Sequence, residues 1–345
     1  SAKIIAITGS CGKTSLKELI AKTLNKISNV TYSSKSYNNK FGVPLSLFNL
    51  NKKDDFGIFE VGMDKKGEID QLTKIIKPNV GIITNISYAH IKNFKNLKQI
   101  AMAKSEIIHN IVDGGSIVLN ADDKFFNFHK KIALRKGLKI YSFSFNKKNV
   151  TTKLNYIKKN KLKYDISVTI NNKKKVFKVS FNSENYIKNL LAAISLISIF
   201  KNINQLNKNI FNNFIIPRGR GDISKIKIYN KNIYLIDESY NSNPLSLKSA
   251  IKNFDLINTK KNKKYLILGD MLELGKFSKS FHSQFSSIIN RSSIDNLSVC
   301  GKYVKETYRN IYKNKKGLVL KENSQIFDLI KNNINNNDYL MIKGS

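Results

Sequence analysis

A glycine-bounded turn at residues 6–15, AITGSCGKTS, limits this chain more than any other part of its sequence. The residues before it, Lys3 to Thr8, are mostly apolar and β-branched, which is typical of a short buried strand. After it, from Thr14 to Ile27, apolar residues recur at helical spacing. A strand, a glycine turn and a helix N-terminus in this order form a cradle for phosphate groups, because backbone N–H groups and the helix dipole face the anion.

The side chains of the turn suit a nucleotide bound with Mg²⁺. Lys13 would neutralise the β- and γ-phosphates, and the Thr14 hydroxyl would reach the metal. The nucleotide-binding residues of the cradle are then Gly9, Ser10, Cys11, Gly12, Lys13, Thr14 and Ser15. The spacing Gly-x-x-Gly-Lys-Thr is shorter than the common P-loop, whose first glycine would stand at Ile7. The prediction therefore rests on the flanking strand and helix as well as on the motif.

Composition bounds the remaining possibilities. The chain has 345 residues, of which 41% are hydrophobic, which is enough for two ordinary cores. No apolar run approaches the roughly 20 residues of a membrane span, and no signal peptide precedes the first strand, so we predict a cytoplasmic protein. Cys11 and Cys300 lie far apart without metal-ligand spacing, which predicts free thiols rather than a disulfide framework or a zinc site.

The formal charge of +36 suggests a nucleic-acid partner at first sight. However, only five of the 60 basic residues are arginine, asparagine is abundant, and the lysines are scattered over predicted helices and loops. This pattern is typical of a compositional bias acting on solvated faces. We therefore predict no nucleic-acid partner, and a basic field that attracts an anionic substrate is the other interpretation.

Strand-like and helix-like segments alternate through the first part of the chain. Further strands are predicted at 30–34, 56–61, 80–86, 116–120 and 139–145, and helices at 68–76, 97–110 and 124–136. Such alternation predicts an α/β fold with a central, mostly parallel sheet of the P-loop type, flanked by helices. Ligands of such sheets bind beyond the carboxyl ends of the strands.

The pattern changes at residues 151–181, where apolar and polar residues alternate around a turn-like segment at 171–175. This predicts a small antiparallel β insertion. A helix over about 185–200 follows, and then a second helix up to Asn213.

Near Pro217 the alternation restarts, with strands predicted at 233–237, 265–269 and 297–300. We therefore expect one domain, which contains the nucleotide cradle, over residues 1–216. A Rossmann-like α/β C-terminal domain is expected over residues 217–345.

Three residues near strand ends or on a helix are candidates for chemistry. Glu60 ends a predicted strand, His90 follows another, and Lys104 lies in a predicted helix. Taken singly, each has an ordinary explanation: a solvated carboxylate, a surface or core histidine, and an exposed helical lysine.

Ten runs of residues, taken together and in order, resemble the Mur ligases, the ATP-dependent amide-forming enzymes of peptidoglycan assembly. They are AITGSCGKTS, YNNKFGVP, FEVGMDKKGEI, TNISYAHIKNF, AKSEI, LNADD, GRGD, DESYNSNPLSL, LGDMLELG and KGS. Within that family, YNNKFGVP, YNSNPLSL, LGDMLELG and KGS are most similar to the enzyme that joins D-alanyl-D-alanine to UDP-N-acetylmuramoyl-tripeptide. The resemblance implies these two substrates, ATP and two Mg²⁺ ions.

The resemblance also implies roles for single residues. Lys13 and Thr14 would hold the ATP phosphates and the first Mg²⁺, with Glu60 as an acidic ligand. His90 would bind a second Mg²⁺. Lys104 matches the lysine that the family converts to a carbamate, an anion that makes sense only beside metal ions. We therefore expect Glu60, His90 and Lys104 to converge.

On the nucleotide side, the resemblance places Asn189 near the adenine, Arg220 near the γ-phosphate and Asp237 near the ribose. The cleft face of the second domain would be shaped by Tyr240, Asn241 and Asn243. The implied catalytic set is Lys13, His90, Lys104 and Arg220.

The chain departs from the family pattern in two respects. The usual Gly-x-His before the adenine-side asparagine is replaced by residues 183–185, Ser-Glu-Asn. The family's N-terminal UDP-binding domain has no counterpart, and relatives continue beyond the terminal KGS, so we expect a chain without that domain and with an incomplete C-terminal domain. We also expect a monomer.

The implied reaction activates a muropeptide carboxylate as an acyl phosphate, which the amine of the dipeptide then attacks. Three alternatives stay open. They are the Mur-type ligase that adds the third residue, a ligase similar to folylpolyglutamate synthase or cyanophycin synthetase, and a basic nucleic-acid-binding ATPase. The identity of the third stem-peptide residue and the base that deprotonates the amine stay open as well.

Overall fold

The computed structural model describes residues 2–161, 163–259, 261–322 and 324–345. They form two compact units. The first contains the described residues up to Ser87 and those of 93–214, and the second contains residues 88–92 and the described residues from Ile215 onwards.

One sheet organises the first unit. Its strands, within the described residues, are β1 (Lys3–Thr8), β2 (Val30–Tyr32), β3 (Phe56–Glu60), β4 (Val80–Ile83), β5 (Ser116–Asn120), β6 (Lys139–Ser144), β7 (Thr152–Asn160), β8 (Lys163–Ile170) and β9 (Lys173–Val179). Their order is β2-β3-β1-β4-β5-β6-β7-β8-β9. From β2 to β7 in this spatial order, which includes β1, neighbouring strands pair in parallel, whereas β7, β8 and β9 pair antiparallel. The predicted mostly parallel sheet and its antiparallel insertion are confirmed.

Helices flank this sheet. Those of the described residues are α1 (Lys13–Leu24), α2 (Gly42–Phe48), α3 (Glu68–Ile76), α4 (Leu97–His109), α5 (Phe126–Arg135) and α6 (Glu184–Phe200). Helix α6 is polar in its first turns and mostly apolar and buried from Leu190 to Ile197. It begins after Ser183, whose hydroxyl accepts a hydrogen bond from the backbone N–H of Tyr186. Helix α2 lies in a stretch for which the sequence analysis predicted no helix.

The prediction of a second helix, after α6 and up to Asn213, is wrong. The structure has one turn of 3₁₀ helix, Ile203–Gln205, followed by non-helical turns. Asparagine side chains explain this difference, because they compete with helix hydrogen bonds: the Asn207 side chain accepts from the backbone N–H of Asn209 at 2.8 Å. The segment ends with Asn213 in a left-handed conformation at φ +64°.

The second unit has its own sheet. Its strands are β10 (Asp222–Ile228), β11 (Lys231–Glu238), β12 (Lys264–Gly269), β13 (Asn296–Cys300), β14 (Lys316–Leu320) and β15 (Tyr339–Lys343), in the order β10-β11-β15-β12-β13-β14. Only β10, among the described strands of this sheet, runs antiparallel to its neighbour. The helices are α7 (Pro244–Asp255), α8 (Ser278–Asn290), α9 (Lys305–Arg309) and α10 (Gln325–Asn333).

Parallel pairing brings strand ends together within each unit. In the first, β1 lies between β3 and β4, so Thr8, Glu60 and Ile83 end on the same edge of the sheet. In the second, β15 lies between β11 and β12. Such carboxyl edges are where α/β sheets bind ligands. Among the residues that the structure describes, every helix is too short or too polar to cross a bilayer.

Candidate active site

The phosphate cradle follows β1 directly and leads into α1. Gly9 has φ +145°, and a Cβ atom built on it would lie 1.8 Å from the Thr84 hydroxyl oxygen. Gly12, at φ +82°, is the residue before α1. Both positions therefore require glycine, one because of a close approach and the other because of its left-handed backbone.

The end of β4 and the residues after it hold the cradle in place. The backbone N–H of Ser10 donates to the Asn85 carbonyl at 2.9 Å, and that of Cys11 donates to the Asn85 side chain at 3.0 Å. The Thr84 hydroxyl donates to the Cys11 carbonyl at 2.7 Å, and the Ser10 hydroxyl to the Ser87 carbonyl at 3.1 Å. The turn is thus fixed before any ligand arrives.

Two predicted nucleotide residues lie at the cradle. The Lys13 ammonium donates to the Gly9 carbonyl at 3.0 Å, which folds it back over the turn. The Asn189 side chain donates to the Gly12 carbonyl at 3.4 Å, so α6 contacts the cradle itself. Ser15 is half-buried in the first turn of α1.

A buried acid lies beside the first turn of α1. Glu60 is 1% exposed, its Oε2 accepts from the Thr14 hydroxyl at 2.6 Å, and its Oε1 accepts from the Asn38 side chain at 2.7 Å. Both partners are neutral, and in the described part of the chain no lysine or arginine lies within ion-pair distance of this carboxylate. A hydroxyl and a carboxylate are hard oxygen donors, which fit Mg²⁺.

Sequence reasoning did not single out Asn38 as a site residue. The signal was present in the run YNNKFGVP, because an asparagine side chain is a donor suited to a buried carboxylate.

Lys104 is not the exposed helical lysine of the ordinary explanation. It lies in α4 and is 1% exposed. Burial, and next the positive charge of Lys13, hold its pKa well below the usual range for lysine, against smaller opposing effects of Cys11 and Glu106. The structure therefore brings Lys104 near the cradle residues, and its amine is neutral over a wider pH range than an exposed lysine.

His90 belongs to the second unit, as part of residues 88–92. Its Nδ1 lies 2.5 Å from Oε2 of Glu273, and its backbone has φ +59°. The backbone N–H of Lys92 donates to the Glu273 carbonyl at 2.9 Å. Because Glu60 and Lys104 belong to the first unit, the convergence of these residues with His90 stays a prediction.

Arg220 and Tyr240 form a pair in the second unit. The guanidinium carbon lies 4.0 Å from the centre of the tyrosine ring, a cation–π contact. The backbone N–H of Tyr240 donates to the Gly219 carbonyl at 3.2 Å. The ring of Tyr240 thus supports the arginine.

The other predicted residues of this unit surround the end of β11. The Asp237 side chain accepts from the hydroxyl of Ser239 at 2.6 Å. The Asn241 carbonyl accepts from the ammonium of Lys343 at 2.9 Å, which ties it to the KGS run. Asn243 caps α7 through the N–H of Ser246 at 3.0 Å, a structural role.

Comparison with models of known protein families identifies the family of both parts of the chain. The model of the Mur ligase middle domain matches residues 7–197, and that of the Mur ligase, glutamate ligase domain matches residues 224–345. The chain belongs to the Mur ligase family.

Individual relatives agree with this assignment. The UDP-N-acetylmuramoyl-tripeptide–D-alanyl-D-alanine ligase of Buchnera aphidicola subsp. Baizongia pistaciae is 32% identical over 353 residues, covering 99% of this chain and 72% of the relative. That of Rickettsia prowazekii is 31% identical, covering 100% and 75%. The crystal structure of MurF from Acinetobacter baumannii superposes with a TM-score of 0.87 at 25% identity, covering 100% of this chain and 74% of that one.

Proposed function

We propose that this chain catalyses ATP-dependent amide bond formation between UDP-N-acetylmuramoyl-tripeptide and D-alanyl-D-alanine in peptidoglycan precursor synthesis. The observation that supports it best is the pairing of Thr14 with buried Glu60 beside a fixed phosphate cradle. Relatives named for this reaction match nearly the whole chain. The proposed domains are residues 1–216, which bind ATP, and residues 217–345.

In the first step, a carboxylate oxygen of the tripeptide attacks the γ-phosphorus of ATP, which gives an acyl phosphate and ADP. Phosphoryl transfer of this kind depends on positioning and on charge neutralisation. The Lys13 ammonium leaves the Gly9 carbonyl to bind phosphate oxygens. Arg220, supported by Tyr240, offsets charge on the transferring group.

In the second step, the free amine of the dipeptide attacks the acyl carbon. The tetrahedral intermediate expels phosphate and the amine loses a proton, so that the amide forms. On the nucleotide, Asn189 would contact the adenine side and Asp237 the ribose. Tyr240 and Asn241 would line the face of the second domain.

Two Mg²⁺ ions, when bound, polarise the phosphate oxygens. The residues that would hold them are Thr14, Glu60, His90 and Lys104. The lowered pKa of Lys104 supports its conversion, because a neutral amine adds to carbon dioxide, forming an N–C bond and releasing a proton to give a carbamate. We also propose that the chain acts as a monomer in the cytoplasm, where ATP is available, without a nucleic-acid partner.

The deciding experiment measures phosphate release from ATP with UDP-N-acetylmuramoyl-tripeptide, with and without D-alanyl-D-alanine. We expect release to depend on both substrates and on Mg²⁺. Preference for a single amino acid with the dipeptide substrate would favour the third-residue ligase, and preference for a folate with glutamate would favour a ligase similar to folylpolyglutamate synthase. Stimulation by DNA or RNA would contradict the proposal.

A further inference from the structure

A second buried lysine near the cradle has no part in the proposed reaction. Lys17 lies in the second turn of α1, and its side chain is 0% exposed. A buried ammonium is costly unless its N–H donors are satisfied, so its partners indicate what it is for.

Lys17 bonds two backbone carbonyls that lie two residues apart in the chain. Its ammonium donates to the carbonyl of Ser33 at 2.5 Å and to the carbonyl of Lys35, and it lies 3.3 Å from a carboxylate oxygen of Glu18. Lys35 has φ +45°, a left-handed conformation that is unfavourable for a residue with a side chain. The ammonium thus bonds the backbone carbonyls on which this bend is built.

That bend begins a stretch that surrounds the predicted metal ligands, and we call residues 33–38 the wrapping segment. The Ser33 hydroxyl accepts from the backbone N–H of Glu60 at 3.3 Å. The Ser36 hydroxyl lies 3.4 Å from that of Thr14. The Asn38 side chain donates to the carboxylate of Glu60 at 2.7 Å.

We propose that Lys17 is a positioning residue that holds the wrapping segment around Glu60, and so keeps Thr14 and Glu60 oriented as magnesium ligands. This role rests on the proposed function. Groups that orient metal ligands act without touching the metal, and their loss typically weakens metal affinity or activity about 10–100-fold. Lys17 is one hydrogen bond further from the magnesium site than such groups, because it bonds backbone carbonyls of the wrapping segment rather than Thr14 or Glu60.

The test compares Lys17→Met, which removes the ammonium but keeps the length of the side chain, with Lys17→Arg, which retains charged donors. Lys22→Met is the matched control. Lys22 is on the same helix and also faces Glu18, at 3.9 Å, but its side chain is 46% exposed. A difference between the two methionine variants therefore isolates the carbonyl bonds of Lys17 from its charge near Glu18.

Two measurements are made on each variant. In the nucleotide-free protein, amide hydrogen exchange of residues 33–38 should quicken about tenfold in Lys17→Met and stay unchanged in Lys22→Met. In the ligation assay, the Mg²⁺ concentration for half-maximal rate should rise about 10–100-fold in Lys17→Met, and Lys17→Arg should restore much of it.

Unchanged exchange at residues 33–38 in Lys17→Met, or an unchanged Mg²⁺ requirement, overturns the proposal. A wild-type chain without ligase activity would refute the proposed function instead, while the exchange experiment would still test the role of Lys17. Should Lys17→Met fail to fold, Lys17→Gln, which retains N–H donors on a shorter side chain, is measured in the same two ways.

Discussion

At the residue scale, the Lys13 ammonium binds the Gly9 carbonyl, a contact that a phosphate oxygen would replace. We expect Lys13→Ala to abolish ligation, because Lys13 is the lysine proposed to neutralise the β- and γ-phosphates within the cradle, and Arg220 is proposed to act on the γ-phosphate alone. Stability should change by less than about 0.5 kcal/mol, since the side chain is only half-buried. Thermal melting and phosphate release check this, with Lys22→Ala as control. Ligation near the wild-type rate in Lys13→Ala would show that this lysine is misplaced in the mechanism.

Lys104 shows a conflict between stability and function. Because its pKa is lowered, the unfolded chain binds more protons than the folded one below the ordinary lysine value of 10.5. The residue therefore destabilises the fold at neutral pH, and does so less as the pH rises towards 10.5. We expect Lys104→Met to be inactive yet more stable at pH 7 by about 0.5–2 kcal/mol, measured in buffer free of carbon dioxide.

A companion experiment tests the anion at this position. Short-chain carboxylic acids should partly restore the activity of Lys104→Ala, because they supply the negative charge of the missing carbamate. Restoration by amines would instead indicate a cationic role. A methionine variant less stable than the wild type at pH 7 would contradict the account of its burial.

At the element scale, the sequence predicted β1, β5 and α3 with the bounds that the structure shows. Hydrophobic runs between turn residues located these elements, because burial and local propensity agree there. The edge strand β10 and the late strands β14 and β15 were not predicted. Strand β15 has its partners, β11 and β12, far away in the chain, and no local signal reports such pairing.

The residues of the candidate site also fall into those that local sequence could predict and those that it could not. The cradle could be predicted because its glycines, lysine and threonine are adjacent in sequence. Glu60 and Lys104 were weak candidates from their positions alone, and their roles came only from the resemblance, since neither burial nor neighbours can be read from a single carboxylate or lysine. The contact between Glu60 and Asn38 depends on the course of the chain between α1 and β3, which no periodicity describes.

The turn between β1 and α1 permits a matched test of its backbone. Gly9→Ala would place a Cβ 1.8 Å from the Thr84 hydroxyl oxygen, whereas Gly114, also at positive φ, has no atom within 4 Å of such a Cβ. We expect Gly114→Ala to cost about 1 kcal/mol of unfolding free energy and Gly9→Ala clearly more, about 2–4 kcal/mol, with loss of nucleotide binding. Denaturant unfolding and ADP titration measure both. Equal costs would refute the close approach.

At the scale of the whole molecule, each unit contains a buried histidine. His129 lies in α5, and its Nε2 is 3.1 Å from the carbonyl oxygen of Ala101 in α4. His282 accepts a hydrogen bond from the backbone N–H of Met271 at 2.9 Å. Burial lowers the pKa of both below the ordinary histidine value of 6.5, against weaker opposing hydrogen bonds and carboxylates. The neutral forms are therefore the ones that fit the folded chain.

Both units should consequently lose stability on acidification. Because the unfolded chain takes up protons at these histidines that the folded chain does not, unfolding becomes easier as the pH falls below about 6.5. We expect melting temperatures to fall between pH 7 and pH 5, and to fall less steeply in His129→Gln and His282→Gln, although both variants start lower at pH 7. The same slope in wild type and variants would assign the acid sensitivity to other groups.

Residues 88–92 cross from the first unit to the second and back, as the packing of Tyr88 against Phe281, with ring centres 4.6 Å apart, illustrates. Backbone therefore passes between the units at three places, after residues 87, 92 and 214. A protein expressed from Ile215 onwards would lack five residues that belong to its own compact body, leaving the partners of Tyr88 and His90 bare. Cutting the chain between residues 214 and 215 thus leaves residues 88–92 attached to the first unit, and leaves the second unit without five residues of its own compact body.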